Sequence, residues 1–304
     1  AALLACLVAA PPAAPAADPR AEFFAAPKVV RLDLELAPKD LDSLRKDARK
    51  YVKATLKEDG KTTYPDVAVR LRGTAGSFRG VDDKPGFTLN MDKNVDGQLF
   101  HGMDKFHLNN SAQDPTFVQE CVCGELCRAA GVPAARVRFA LVTLNARKLG
   151  LYYLKEGYDK GFLKEHFGDP SGNLYDGGFL KDIDNPLELS TGKKGPKDHA
   201  DLKALVAACR EGDANKRFQK LDQLVELDKF VSLVALQVYA WDWDGYAIKP
   251  NNYRVYNNPK TNKLVFIPSG MDQMFSDPNG TIFPGFGGMV ARGLLETPEG
   301  RKRY

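Results

Sequence analysis

The chain has 304 residues, of which 43% are hydrophobic, enough to core one large domain or two smaller ones, so disorder is not its default state. Lysine plus arginine exceeds aspartate plus glutamate by only 43 to 39, which singles out neither nucleic acid nor a membrane surface as partner. After the first residues no run reaches the ~18 consecutive apolar residues of a membrane helix, so no membrane span is expected.

The opening "AALLACLVAAPPAAPAADPR" is a small apolar run ending in Ala14-Pro15-Ala16, and it reads as the remnant of a secretory signal peptide over residues 1–17, cleaved near Ala16 or Ala17. A plain Ala/Pro tail, or a lipoprotein signal at Cys6, are the alternatives. On the leader reading the protein is exported: secreted, periplasmic or at the cell surface. The run has neither an initiator methionine nor a basic segment, and the chain stops at "TPEGRKRY" as a helix begins, so truncation is expected at both ends.

Next, "KVVRLDLEL" alternates as a strand does, and the apolar spacing of "KDLDSLRKDARKYVKATLK" predicts one helix. "DVAVRLRG" and "KPGFTLNMD" read as strands around the glycine-punctuated turn "TAGSFRG". "DPTFVQECVCGELCRAAGV" predicts a helix with Asp114 as N-cap, Pro115 at its first position and Gly131 past its end. "ARVRFALVTLN" and "LGLYYLKEGYD" read as two strands turning at Ala146, Arg147 and Lys148.

From "GFLKEHFGDPSGNLYDGG" to "STGKKGPKDH" the polar composition suits a long excursion. "DLKALVAACREG" and "LDQLVELDKFVSLVALQVYAW" predict helices, the second buried, and "NYRVYN" and "KLVFIPSG" close a hairpin. Cys121, Cys123, Cys127 and Cys209 lack the spacing of a zinc site and read as buried thiols, with a Cys127–Cys209 disulfide as an export-compatible option.

The chemistry concentrates in "YAWDWDGYAIKPNNYRVY". A buried helix ends near Trp241, a loop holds Asp244, Asn251 and Asn252, and a hairpin leads to Asp272 in "IPSGMDQMF". A carboxylate, an amide and a second carboxylate on adjacent loops match the order in which a phosphotransferase orients a hydroxyl and binds metal and phosphates. Upstream stand a Gly-rich turn, Lys84 before a strand and Glu120 in the next helix. Each has a plainer reading: Asp244 as an Asp-Gly turn or calcium loop, Asp272 as a turn cap, Lys84 and Glu120 as solvated charges, Glu156 as a turn residue.

"VRLRGTAGSFRG", "KPGFTLNMDK", "FHLNNSAQDPTFVQE", "LGLYYLKEGYDKGFL", "WDWDGYAIKPNNYRVY" and "FIPSGMDQMF", in this order over about residues 69 to 275, resemble the spore coat protein H (CotH) kinase family. The resemblance implies an α+β, divergent protein-kinase-like fold of two lobes. Residues 28–156 would form a lobe with a mixed, mostly antiparallel sheet and a packed helix, and 157–304 a more helical lobe, together making the CotH kinase-like domain of residues 18–304. It also implies ATP with Mg²⁺ or Mn²⁺ and a protein substrate. Lys84 would bind phosphates with Glu120 as its partner, Glu156 would lie near the adenine, and Arg72, Ser77 and Arg79 of the Gly-rich turn would face the phosphates. Asp244 would be catalytic, with Asn252 and Asp272 as metal ligands, although the adjacent Asn251 leaves the amide's identity open. Where the family often reads Trp-Asp-Leu-Asp, this chain reads Ser269-Gly270-Met271-Asp272 and keeps only the last carboxylate. The expectation is an exported ATP-dependent protein kinase; a non-catalytic scaffold at the surface and an extracellular calcium-binding module are the competing readings.

Overall fold

In the computed structural model of the protein, residues 18–192 and 197–304 are described; the expected signal remnant lies outside them. The first half contains α1 (Pro19–Ala25), β1 (Val30–Glu35), α2 (Pro38–Lys46), β2 (Val52–Glu58), β3 (Thr62–Arg72), β4 (Gly86–Asn90), β5 (Lys105–Asn109), α3 (Gln119–Ala129), β6 (Val137–Leu144) and β7 (Arg147–Glu156). The segment predicted as one long helix from Lys39 divides instead. Helix α2 stops at Lys46, and Val52, Ala54 and Leu56 bury alternate positions of β2.

These strands close into a barrel in the order β1-β2-β3-β4-β5-β7-β6. The closure is the one parallel pairing, β1 with β6, from Val30 opposite Ala140 to Leu34 opposite Leu144. This corrects the expected kinase-like two-lobed fold: both edges of the sheet are sealed against each other, so it is not an open sheet. Period-2 alternation marks strands without naming their partners, which is why closure was invisible in the sequence. Leu32, Leu56, Val69, Phe87, Leu108 and Leu154 pack in one apolar cluster from strands around the barrel.

The second half comprises α4 (Lys160–Phe167), β8 (Leu174–Asp176), β9 (Glu188–Thr191), α5 (Ala200–Cys209), α6 (Ala214–Leu224), α7 (Leu227–Tyr239), β10 (Tyr253–Asn258), β11 (Lys263–Pro268), α8 (Met289–Leu295) and α9 (Pro298–Arg303). An antiparallel sheet, β11-β10-β8-β9, packs on α7 through Phe230, Val255 and Phe266. The predicted polar excursion supplies α4, which Asp159 caps through the Phe162 N–H, and two of these strands. The long helix predicted from Leu221 breaks at Val225, whose backbone bridges to Leu264. Cys123, Cys127 and Cys209 are buried free thiols, so the Cys127–Cys209 disulfide is not formed.

Helix α1 ties the start of the described chain to the junction after β7. Arg20, 4% exposed, donates to Glu156 at 3.1 Å, to both Asp159 oxygens at 2.9 and 3.0 Å, and to the Gly102 carbonyl at 2.7 Å. Arg20→Ala strands the Asp159 carboxylate in a dry site and is expected to cost about 3 kcal/mol in urea denaturation. A loss indistinguishable from zero would show that the tie carries no stability.

Candidate active site

The loop after α7 is shaped from within. Asp242 is 1% exposed and accepts from Gln237 Nε2 at 3.1 Å, while its own N–H donates to the Gln237 carbonyl at 2.7 Å. A Cβ on Gly245 would collide with both side chains, so glycine is required there. Burial, then the neighbouring Asp244, pushes the Asp242 carboxyl well above the carboxylate range. Asn252 adopts left-handed backbone at φ 51°, a conformation asparagine tolerates.

That turn delivers Asp244 into a set of amides. Its Oδ1 accepts from Asn251 Nδ2 at 3.1 Å, and its Oδ2 accepts from Asn252 Nδ2 at 2.8 Å and Gln273 Nε2 at 3.2 Å. Both asparagines therefore donate to Asp244. Neutral amides orient a carboxylate through the hydrogen bonds they donate. Asp272 lies on the next loop, and no other side chain among the described residues donates a hydrogen bond to it or pairs with it within salt-bridge distance. Burial, then Glu120, raises its carboxyl to about 6.

Both carboxylates line one cavity of about 450 Å³. The same cavity is lined by the basic side chains Arg49, Arg70, Arg72, Lys155 and Arg254, with His107 among them. Burial, then Arg72, Arg254 and Lys155, holds the His107 imidazole well below its usual range and so neutral. Gly73, Thr74, Ala75 and Ser77 of the Gly-rich turn also line the cavity.

Three expected residues lie elsewhere. Lys84 does not meet Glu120; its ammonium sits 4.8 Å from the Phe117 ring centroid and 5.2 Å from that of Tyr152, and it does not line the cavity. The partner of Glu120 is Lys155, with side chains 1% and 2% exposed. Glu156 is not in the cavity either. Successive strand residues face opposite ways, so Lys155 points into the cavity and Glu156 away from it, to Arg20 and Arg136. Arg79 turns back to its own loop, donating to the Gly76 and Phe78 carbonyls. The signal for Lys155 was a lysine inside the apolar run "LYYLKEG", a position that stays buried only with a partner.

The pair also sets the Asp272 loop. Lys155 Nζ donates to the Ser269 carbonyl at 2.8 Å, Glu120 Oε2 accepts from Met271 N at 3.0 Å, and Gln119 Oε1 accepts from Met274 N at 2.8 Å. Burial pulls the Lys155 ammonium down, and Glu120, with Tyr158, more than offsets this, leaving it raised. Helix α3 starts at Gln119, later than expected. Asp114 is not its N-cap but reaches forward to the Gln119 N–H at 3.0 Å while accepting from Tyr153.

Among the described residues no group of three or more His, Cys, Asp or Glu side chains is placed to hold a metal ion. A cation here would therefore be shared between Asp272, an amide oxygen and oxygens of a bound ligand, the mode typical of Mg²⁺ with phosphates. The acidic side chains between residues 176 and 184 are engaged within the protein: Asp176 pairs with Arg254, Asp184 with Arg210, and Asp182 accepts from Tyr246 and Met289 N.

Residues 69–300 match the family model described as CotH kinase protein. The chain is 24% identical over 295 residues to the inner spore coat protein H of Bacillus subtilis, covering 88% of this chain and 76% of that protein. It is 23% identical over 201 residues to the invasin CotH3 of Rhizopus delemar, covering 59% of this chain and 33% of that protein. It is 19% identical over 245 residues to the spore coat protein homolog 1 of the same organism, covering 69% of this chain and 38% of that protein.

A recess of about 290 Å³ adjoins the cavity and includes Asp104, whose carboxyl is raised to about 7 by burial and then by Asp159. A carboxyl raised on folding contributes stability that is full below its unfolded value near 3.8 and is lost as pH rises through about 7. Asp104→Asn removes that loss, so urea denaturation is expected to show the variant gaining on the parent between pH 5 and pH 8. An unchanged difference at the two pH values would contradict the shift.

Proposed function

The chain belongs to the CotH kinase protein family, and from that premise we propose that it transfers the terminal phosphoryl group of ATP to a protein hydroxyl. The observation that carries this reading is that Lys155, fixed by Glu120, shares one cavity with Asp244 and Asp272. Basic side chains and two carboxylates on separate loops within one cavity suit an in-line phosphoryl transfer, since such catalysis rests on positioning and electrostatics.

In this reading Lys155 holds phosphate oxygens, while Asp244, oriented by its three amides, accepts the proton of the incoming hydroxyl. The hydroxyl oxygen bonds the terminal phosphorus as the bond to the ADP oxygen breaks. Asp272, with the Asn252 side-chain oxygen, would hold the divalent cation, which supplies charge neutralisation on the phosphates. The names of the relatives, a spore coat protein and an invasin, support a substrate at a cell or spore surface and an exported protein.

Isothermal titration of ATP with Mg²⁺, paired with phosphate transfer to a generic protein acceptor, tests the roles. Asp244→Asn is expected to bind Mg·ATP within about twofold of the parent and to lose transfer by about a thousandfold or more, as a general base does. Asp272→Asn is expected to weaken Mg²⁺-dependent binding itself. If the parent binds no nucleotide, the catalytic reading fails and the surface-scaffold reading stands.

A further inference from the structure

Two guanidinium N–H groups in the cavity wall are buried without a hydrogen-bond partner: Nη1 of Arg72 and Nε of Arg254. They come from different sheets, Arg72 at the end of barrel strand β3 and Arg254 in β10. Arg254 is otherwise fixed. Its Nη2 pairs with Asp176 at 2.7 Å, its Nη1 donates to Ser190 Oγ at 3.2 Å, and its guanidinium stacks 4.8 Å from the Tyr158 ring centroid. Arg72 has no ionic or hydrogen-bonded side-chain partner among the described residues; burial lowers its guanidinium, with Glu120 and Asp272 too distant to pair but pulling the other way. Buried donors are nearly always satisfied, and an exception calls for an explanation, a bound water or ion being one.

We propose that Arg72 and Arg254 form an anion-binding corner, separate from Lys155, that takes a phosphoryl group of a polyphosphate. Planar guanidinium donors fit phosphate oxygens better than an ammonium does, and they carry charge at every working pH. The nearby imidazole of His107 is neutral and adds no competing charge. Asp244 and Asp272 line the same cavity, so a polyanion long enough to extend from the two arginines towards them could also carry a cation, whereas its phosphoryl group on the arginines needs none. Because the donors belong to two sheets, the ligand also joins the barrel to the second sheet.

The ligand class rests on the nucleotide reading, and the probe is chosen to separate the two. Inorganic tripolyphosphate is titrated calorimetrically into the parent, Arg254→Gln, Arg72→Gln and Arg254→Lys, first with a chelator and then with Mg²⁺. The parent is expected to bind without metal. Each glutamine variant is expected to weaken this by about tenfold or more, the loss of one charge-assisted hydrogen bond. Arg254→Lys is expected to recover only part of it, because an ammonium has no counterpart to Nε. Should Arg254→Gln unfold, Arg72→Gln decides, since its side chain holds nothing else in place among the described residues. Binding unchanged in Arg72→Gln and Arg254→Gln, or fully restored by lysine, overturns the proposal. Loss of phosphate transfer with tripolyphosphate binding intact would count against the kinase reading alone.

Discussion

The buried pair between Lys155 and Glu120 is the contact on which the cavity depends, because each partner has a second bond that reaches the loop of Asp272. Burying two charges is costly, and the cost is recovered only when the remaining lone pairs and protons are also satisfied. Here they are: the lysine reaches the Ser269 carbonyl and the glutamate the Met271 N–H. One ion pair thus fastens three elements, strand β7 of the barrel, helix α3 and the loop after β11. Gln119, the neighbour of Glu120, holds Met274 N. Asp272 and Gln273 therefore sit between two anchors, and Gln273 passes that constraint to Asp244.

The rest of the architecture serves the same end by closing off alternatives. Sealing β1 against β6 leaves the barrel without a free edge, so β7 has its neighbours β5 and β6 on either side and its side-chain facing is fixed. That facing sends Lys155 into the cavity and Glu156 to the Arg20 and Arg136 side chains. Strand β10 brings Arg254 to the same cavity, and α7 ends in the turn that presents Asp244. The chemistry sits on loops and strand ends, and the two apolar clusters beneath hold those ends still.

Much of the candidate site was legible because its residues lie in short, chemically marked stretches. Asp244, Asn252 and Asp272 could be read from one loop, one hairpin and the residues around them, and all three line the cavity. Arg72 and Ser77 were legible from the glycines beside them. Lys84 and Glu156 were misplaced for a single reason: the sequence shows that a lysine or glutamate adjoins a strand, but which face it takes depends on register. Lys155 and Glu156 differ by one residue and point to opposite sides. Barrel closure, and the divided helices at Lys46 and Val225, likewise depend on pairing with segments distant along the chain, as Val225 does with Leu264. Arg254 carries no local mark at all; only the sheet order that sets β10 beside β8 brings it to Asp176 and the cavity.

The central claim is that the anchored loop of Asp272 and the amide-held Asp244 form one phosphate and metal site facing Lys155. The most direct measurement is the anomalous scattering of Mn²⁺ in crystals grown with a non-hydrolysable ATP analogue. The account predicts a Mn²⁺ peak within coordination distance of an Asp272 oxygen, with a phosphate oxygen of the analogue on Lys155 Nζ. A peak confined to the recess of Asp104 and Asp159, or an analogue bound away from Lys155, would contradict it.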